Sequence, residues 1–195
     1  DNPAFCPLDS ALLEKEGTDL ASADRTNGDI ATAALRLGML LEGGGMDQEA
    51  AQWLRYNTTA EGFSHRAICL TELQLWDSAH SVAQMAIEAG GAASPMASLA
   101  LCESARGHHI NALSWAGKAL KADPNNSRCE NVMGYVLFKK GADVDALSHF
   151  KKAVRLDSTN VDAYFNIGAS GSIEPGEDIV SVTRAGTGRT FVYDS

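Results

Sequence analysis

The feature that most constrains the fold of this chain is a repeat of 34 residues between Leu99 and Gly168. Identical residues recur at this spacing in the pairs Gly107 and Gly141, Ala112 and Ala146, Ala119 and Ala153, and Asp123 and Asp157. A period of this length is typical of helix–turn–helix units that stack because no single unit can bury its apolar face. The sequence therefore predicts an all-α helical solenoid.

Composition excludes several classes of function. The chain has 195 residues, a hydrophobic content of 45% and a net charge of −9. This acidity argues against a nucleic-acid binder, which needs a clustered cationic face. No apolar run approaches the roughly 18 residues of a membrane span, so we expect no direct membrane insertion. No signal peptide is visible, and Asp1 indicates a processed or trimmed product. A periplasmic and a cytoplasmic location both stay open.

The four cysteines show neither a CxxC pair nor the spacing of zinc ligands. Cys69 and Cys102 stand at corresponding places in neighbouring repeats. Equivalent points on stacked helix pairs lie about 8–10 Å apart, beyond the roughly 7 Å Cα separation that a disulfide tolerates. We therefore expect packed thiols.

Apolar spacing divides the chain into three parts. Residues 1–25 are polar and predict an N-terminal arm or capping helix. Residues 26–169 predict a repeat domain of four helix pairs and one extra helix at 161–169, with the turn of the second pair near Trp76-Asp77. Residues 170–195 predict a linker and a strand-prone tail, because Ile179, Val180 and Phe191 favour extended backbone.

The segment NVMGYVLFKKGADVDALSHFKKAVRLDSTN resembles a tetratricopeptide repeat. The spacing of its small and large residues carries the resemblance: Met133, Gly134, Leu137, Gly141, Ala146, Phe150 and Ala153. Ala116 departs from the pattern, because the family usually has an aromatic residue there, and Ser158 replaces the closing Pro. The resemblance implies a function in binding protein segments and names no partner.

In this family the first helix of each pair lines a concave groove. The resemblance places these residues in the groove: Leu35, Arg36, Met39, His65, Ile68, Leu101, Arg128, Asn131, Tyr135, Phe138, Phe165 and Asn166. Their mixture of apolar and polar side chains predicts a partner that binds as an extended or strand-like segment. The alternative is that Tyr135, Phe138 and Phe165 only pack between repeats.

The tail leaves two interpretations open. It is either an engineered fusion that tethers a ligand peptide or a natural C-terminal extension that covers the last helix pair. Since a lone hairpin is marginal in water, an ordered tail must bury its apolar residues against the repeats: Ile179, Val180, Val182, Phe191 and Tyr193. We favour the groove around Tyr135 and Phe138 over the open end of the solenoid, in the same or an adjacent copy.

No motif for catalysis, metal binding or a cofactor is present. His108-His109 is most simply a pair of solvated turn residues. We expect a non-enzymatic interaction adaptor, in a narrower form a pilotin-like or assembly factor of a bacterial pilus or secretion system. The alternatives are a structural scaffold or homo-oligomer that self-associates through its tail, and a regulatory domain cut from a larger enzyme.

Overall fold

The computed structural model describes residues 27–170, together with the backbone of 182–183 and 190–191. Within this part the helices are α1 (Asn27–Gly43), α2 (Asp47–Leu54), α3 (Ala60–Glu72), α4 (Trp76–Glu88), α5 (Ala93–Ala105), α6 (His109–Ala122), α7 (Ser127–Lys139), α8 (Asp143–Leu156) and α9 (Val161–Ala169). The predicted all-α fold of helix pairs followed by one extra helix is confirmed. The domain boundaries stay a prediction, and the N-terminal arm lies outside the described residues.

Contacts divide the chain after Gly91 into two compact units. In the first unit α1 packs on α2, α2 on α3 and α3 on α4. Gly38 allows the close crossing of α1 and α2, because a Cβ atom at this position would collide with the buried side chain of Leu54. Small residues on α4, such as Ala79 and Ala83, are completely buried. Small side chains thus permit the close helix packing of this unit.

In the second unit α5 packs on α6, α7 on α8 and α8 on α9. Gly134 lies at the crossing of α7 and α8, and a Cβ atom there would come within 2.6 Å of the Phe150 ring. Phe150 is completely buried and forms a cluster with Ala146 and Ile167. Large and small residues at the repeat positions therefore interlock as the sequence predicts.

The turn inside each helix pair contains one residue with a positive φ, in the left-handed region of backbone conformations. This residue stands five positions before the first buried alanine of the second helix. Glycine occupies this position three times, as at Gly107 (φ 79°) and Gly141 (φ 84°). In the second pair Gln74 takes it with a φ of 58°. The turn predicted near Trp76-Asp77 is thus displaced, because Trp76 already begins α4.

Asparagines begin α7 and α9 at the repeat spacing. Asn126 Oδ1 accepts a hydrogen bond from the Cys129 amide, and Asn160 Oδ1 accepts one from the Ala163 amide. Asn160 Nδ2 also donates to Ser127 Oγ (2.7 Å), and Ser127 Oγ donates to the carbonyl of Ala153 (2.9 Å). The starts of α7 and α9 and the last turn of α8 are thereby connected.

Two short strands follow the helices. β1 (Val182–Thr183) pairs antiparallel with β2 (Thr190–Phe191), with Val182 opposite Phe191. The backbone of β1 lies next to α9. Ile179, Val180 and Tyr193, the other predicted tail contacts, lie outside the described residues, so contact between the tail and the groove stays a prediction.

Candidate functional site

The predicted groove residues all lie on first helices. In the first unit Leu35, Arg36 and Met39 are on α1, and His65 and Ile68 are on α3. Arg36 is exposed and Met39 is 39% exposed, whereas the other three are half-buried. These side chains are accessible to a ligand at the surface of this unit.

A polar pair that sequence reasoning missed joins α3 to α1. The Nδ1 atom of His65 lies 2.6 Å from Oε2 of Glu42. Both side chains are mostly buried, with exposed fractions of 25% and 19%. No spacing rule points to Glu42, because the contact depends on how the two helices stack. The pair fixes the position of His65 on this surface.

In the second unit the first-helix surface consists of predicted groove residues on α7 and α9: Arg128, Asn131, Tyr135, Phe138 and Phe165. Asn166 Nδ2 donates a hydrogen bond of 2.9 Å to Asn131 Oδ1, which joins α9 to α7. Asn131 is only 8% exposed. Within the described residues, Asn131 Nδ2 and Asn166 Oδ1 have no hydrogen-bond partner, so one amide donor and one amide acceptor remain available side by side.

The aromatic residues of this surface also pack between helices. Tyr135 and Phe138 are half-buried and contact the cluster of Phe150, Ala146 and Ile167. The Nζ atom of Lys139 lies 5.3 Å from the centre of the Tyr135 ring. Phe165 and Arg128 are half-buried as well, and Leu101 on α5 packs against the neighbouring core. These side chains thus pack against the core on one side and remain partly exposed on the other.

A buried carboxylate holds the turn between α5 and α6. Burial opposes ionisation of Glu103, but hydrogen bonds from Asn111, His108 and Arg106 outweigh it and hold the pKa of this carboxyl below its usual value. The donors lie at 3.1 Å, 3.1 Å and 3.3 Å from the carboxylate oxygens. His108 therefore helps to anchor the turn while its side chain stays 58% exposed, as expected of a solvated turn residue.

A second buried carboxylate lies between α7 and α8. Glu130 is 1% exposed, and its oxygens lie 2.7 Å from His149 Nδ1 and 2.5 Å from Lys152 Nζ. Opposite charges and hydrogen bonds compensate the cost of burying this group. The neighbouring Cys129 is buried too, which raises the pKa of its thiol to about 11. Its thiol is therefore protonated near neutral pH.

Three further features of residues 27–170 concern the cysteines, metal ligands and membrane-spanning character. Cys69, Cys102 and Cys129 are buried, as expected of packed thiols. Among the described residues, no group of three or more His, Cys, Asp or Glu side chains could hold a metal ion. None of the described helices has the length and apolar character that crossing a membrane requires.

Comparison with known proteins gives a match to the family model described as TPR repeat, over residues 134–170. No curated protein matches the sequence. The solved structures with a similar fold include TTC0263, a thermophilic TPR protein from Thermus thermophilus. It is 15% identical, with a TM-score of 0.63 over 83% of this chain and 89% of that one.

Two further structures share the fold. YrrB, described as a TPR protein with an unusual peptide-binding site, is 16% identical over 81% of this chain and 82% of its own, with a TM-score of 0.53. Pseudomonas aeruginosa pilF is 16% identical over 74% of this chain and 68% of its own, with a TM-score of 0.56. The chain thus has the helical-repeat fold of these tetratricopeptide-repeat structures, and its residues 134–170 match the TPR repeat model.

Proposed function

We propose that this protein is an adaptor that holds an extended segment of a partner protein against its first helices. The amide pair of Asn131 and Asn166 is the observation that carries the proposal. Its remaining donor and acceptor match the carbonyl and amide groups of one peptide unit. Such a contact recognises backbone and therefore suits an extended segment of varied sequence.

Apolar side chains on the same two helices supply a second element of recognition. Tyr135 and Phe138 on α7 and Phe165 on α9 are half-buried. Aromatic side chains that are partly fixed by packing lose little conformational entropy on binding and are enriched among residues that dominate binding energy. This combination supports anchoring of alternate side chains of the ligand while its backbone pairs with the amides.

Selection from a random peptide library on the full chain, followed by fluorescence anisotropy with a selected peptide, tests this function. We expect Asn166→Ala to weaken binding about tenfold, which corresponds to about 1.4 kcal/mol. Phe165→Ala should weaken it by a similar factor. Val144→Ala is the matched control, because Val144 is 84% exposed and lies on the second helix α8.

Circular dichroism of each variant separates loss of binding from loss of fold. Selected peptides whose affinity is unaffected by Asn166→Ala and Phe165→Ala would show that they bind elsewhere and would contradict the proposal. Failure to select any peptide from a diverse library would count against it as well.

A role as assembly factor of a pilus or secretion system is the narrower form of this proposal. It is supported by the presence of pilF among structures of the same fold. Deletion of the gene in its native host, with surface pili counted by electron microscopy, tests this form. Unchanged piliation and secretion would contradict the role as assembly factor without affecting the proposal of a general adaptor.

A further inference from the structure

The second helices of the second unit carry cations at matching places in successive repeats. Lys118 on α6 corresponds to Lys152 on α8, and Lys121 corresponds to Arg155. All four side chains are exposed. We name these four residues the basic surface.

Carboxylates are scarce around the basic surface. Helix α6 contains no Asp or Glu, and those of α8 are confined to its first turn, at Asp143 and Asp145. The acids that follow these helices are engaged in turns: Asp123 accepts hydrogen bonds from Asn125 and Asn126, and Asp157 accepts them from Thr159. The carboxylates of Asp123 and Asp157 are thus hydrogen-bonded within their own turns.

The four cations differ in their surroundings. Lys152 is paired with the buried Glu130, and the Lys118 ammonium lies 3.9 Å from the centre of the Trp115 ring. Neither Lys121 nor Arg155 lies within ion-pair distance of a carboxylate in the described part of the chain. Both stand in the last turn of their helix, where a cation interacts favourably with the helix dipole. That interaction leaves their outward-facing charge available to a ligand.

From this charge pattern we infer that the basic surface is a second docking site, which takes an acidic segment of a partner polypeptide. Residues 92–170 hold nine Lys and Arg against seven Asp and Glu, whereas the whole chain has a net charge of −9. A long polyanion such as nucleic acid, with one charge about every 1.7 Å, would be repelled by the rest of the chain. A short acidic segment needs only the few cations present here. The apolar ring of Trp115 adds contact area beside Lys118.

The site is distinct from the one proposed above. The first-helix surface uses side chains of α7 and α9, while the basic surface uses side chains of α6 and α8. Binding at the basic surface therefore depends on charge, and binding at the first-helix surface depends on backbone pairing and aromatic anchors. The two proposals can fail independently.

The test uses the full chain and a fluorescein-labelled peptide of alternating Glu and Ser, followed by anisotropy at low and at physiological salt. We expect Lys121→Gln/Arg155→Gln to weaken binding about fivefold at low salt, since each exposed ion pair contributes only modestly. The binding should weaken further as salt rises. The double variant Arg55→Gln/Lys140→Gln is the matched control, because it removes the same charge from exposed positions elsewhere.

Loss confined to the Lys121→Gln/Arg155→Gln variant, with no binding of the matching Gln–Ser peptide, supports the inference. Equal loss in both double variants would show an effect of net charge alone and would overturn it. So would absence of binding by the Glu–Ser peptide. A thymidine oligonucleotide of the same length that binds as tightly, with the same sensitivity to the substitutions, would overturn the assignment to an acidic polypeptide.

Discussion

The second helices of the two units share their buried positions and differ on their outer faces. Ala79 on α4, Ala112 on α6 and Ala146 on α8 stand at the same place, and each is completely buried. Helices α2 and α4 of the first unit contain no Lys or Arg, whereas α6 and α8 contain five. Met85 and Glu88 occupy in α4 the places that Lys118 and Lys121 occupy in α6. Stacking constrains the buried positions alone, so the outer faces are free to specialise.

A similar difference exists within the second unit. Met96 and Trp115 pack against the core of the third helix pair. At the same places in the fourth pair stand Glu130 and His149, which are within hydrogen-bond distance, and Lys152 forms an ion pair with Glu130. One arrangement is apolar and the other is charged, although the backbone geometry repeats. The comparison shows that this location tolerates either chemistry, provided that the buried charge is paired.

Removing the partners of Glu130 should produce the largest effect. The double variant His149→Ala/Lys152→Ala leaves a buried carboxylate without its two partners, and we expect a loss of about 3 kcal/mol or more in the free energy of unfolding. The variant Glu130→Met/His149→Trp instead copies the apolar set of the preceding pair, and its stability should equal or exceed that of the parent. Urea denaturation measures both. A neutral first variant, or a second one that is as unstable as the first, would break the comparison.

The crossing glycines should be nearly as sensitive. Gly134→Leu forces a side chain against Phe150, and we expect a loss of about 3 kcal/mol through overpacking. Gly38→Leu should act similarly in the first unit, because Leu54 fills that space. Gly117→Ala is the control, since nothing lies within 4 Å of a Cβ atom there and the substitution should stabilise α6. Thermal unfolding that shows equal shifts for Gly134→Leu and Gly117→Ala would contradict this reasoning.

Substitutions at the turn residues should produce smaller changes in the free energy of unfolding, with opposite signs at two equivalent turns. Gln74→Gly should raise the free energy of unfolding by about 0.5–1 kcal/mol, because glycine adopts a φ of 58° without steric cost. Gly141→Ala should lower it by about 1 kcal/mol at the equivalent turn of the second unit. Changes of opposite sign in the free energy of unfolding would show that the two turns require the same backbone conformation. Two shifts of the same sign would refute it.

The smallest expected effect concerns acid stability. Because Glu103 has a pKa below its usual value in the fold, it binds fewer protons folded than unfolded. Its contribution is present above the ordinary carboxyl pKa near 4.5 and is lost as the pH falls through the lower folded value. Asn111→Ala removes one hydrogen bond and should flatten this loss. Melting temperatures between neutral and acidic pH measure it, and an unchanged slope would show that Asn111 does not lower the pKa of Glu103.

The repeat spacing was sufficient to predict the helix pairs and the extra helix α9, because small and large residues recur at fixed places. It was not sufficient for the turn before Trp76, where Gln74 replaces the expected glycine. The pairs Glu42–His65 and Asn131–Asn166 could not be predicted, since each depends on the offset between stacked helices. The resemblance placed both Asn131 and Asn166 in the predicted groove, but the hydrogen bond between them became apparent only from the packing.

The hydrogen bonds from Asn160 through Ser127 to the carbonyl of Ala153 have a consequence for opening of the molecule. A terminal helix normally frays first, and its amide protons exchange with solvent long before those of the interior. Here the first turn of α9 can separate only by breaking the hydrogen bond from Asn160 to Ser127, which ties it to the start of α7. Deuterium uptake in that turn should therefore be slowed toward the rate at the start of α7. Ser127→Ala should remove this protection, so that α9 exchanges ahead of α7.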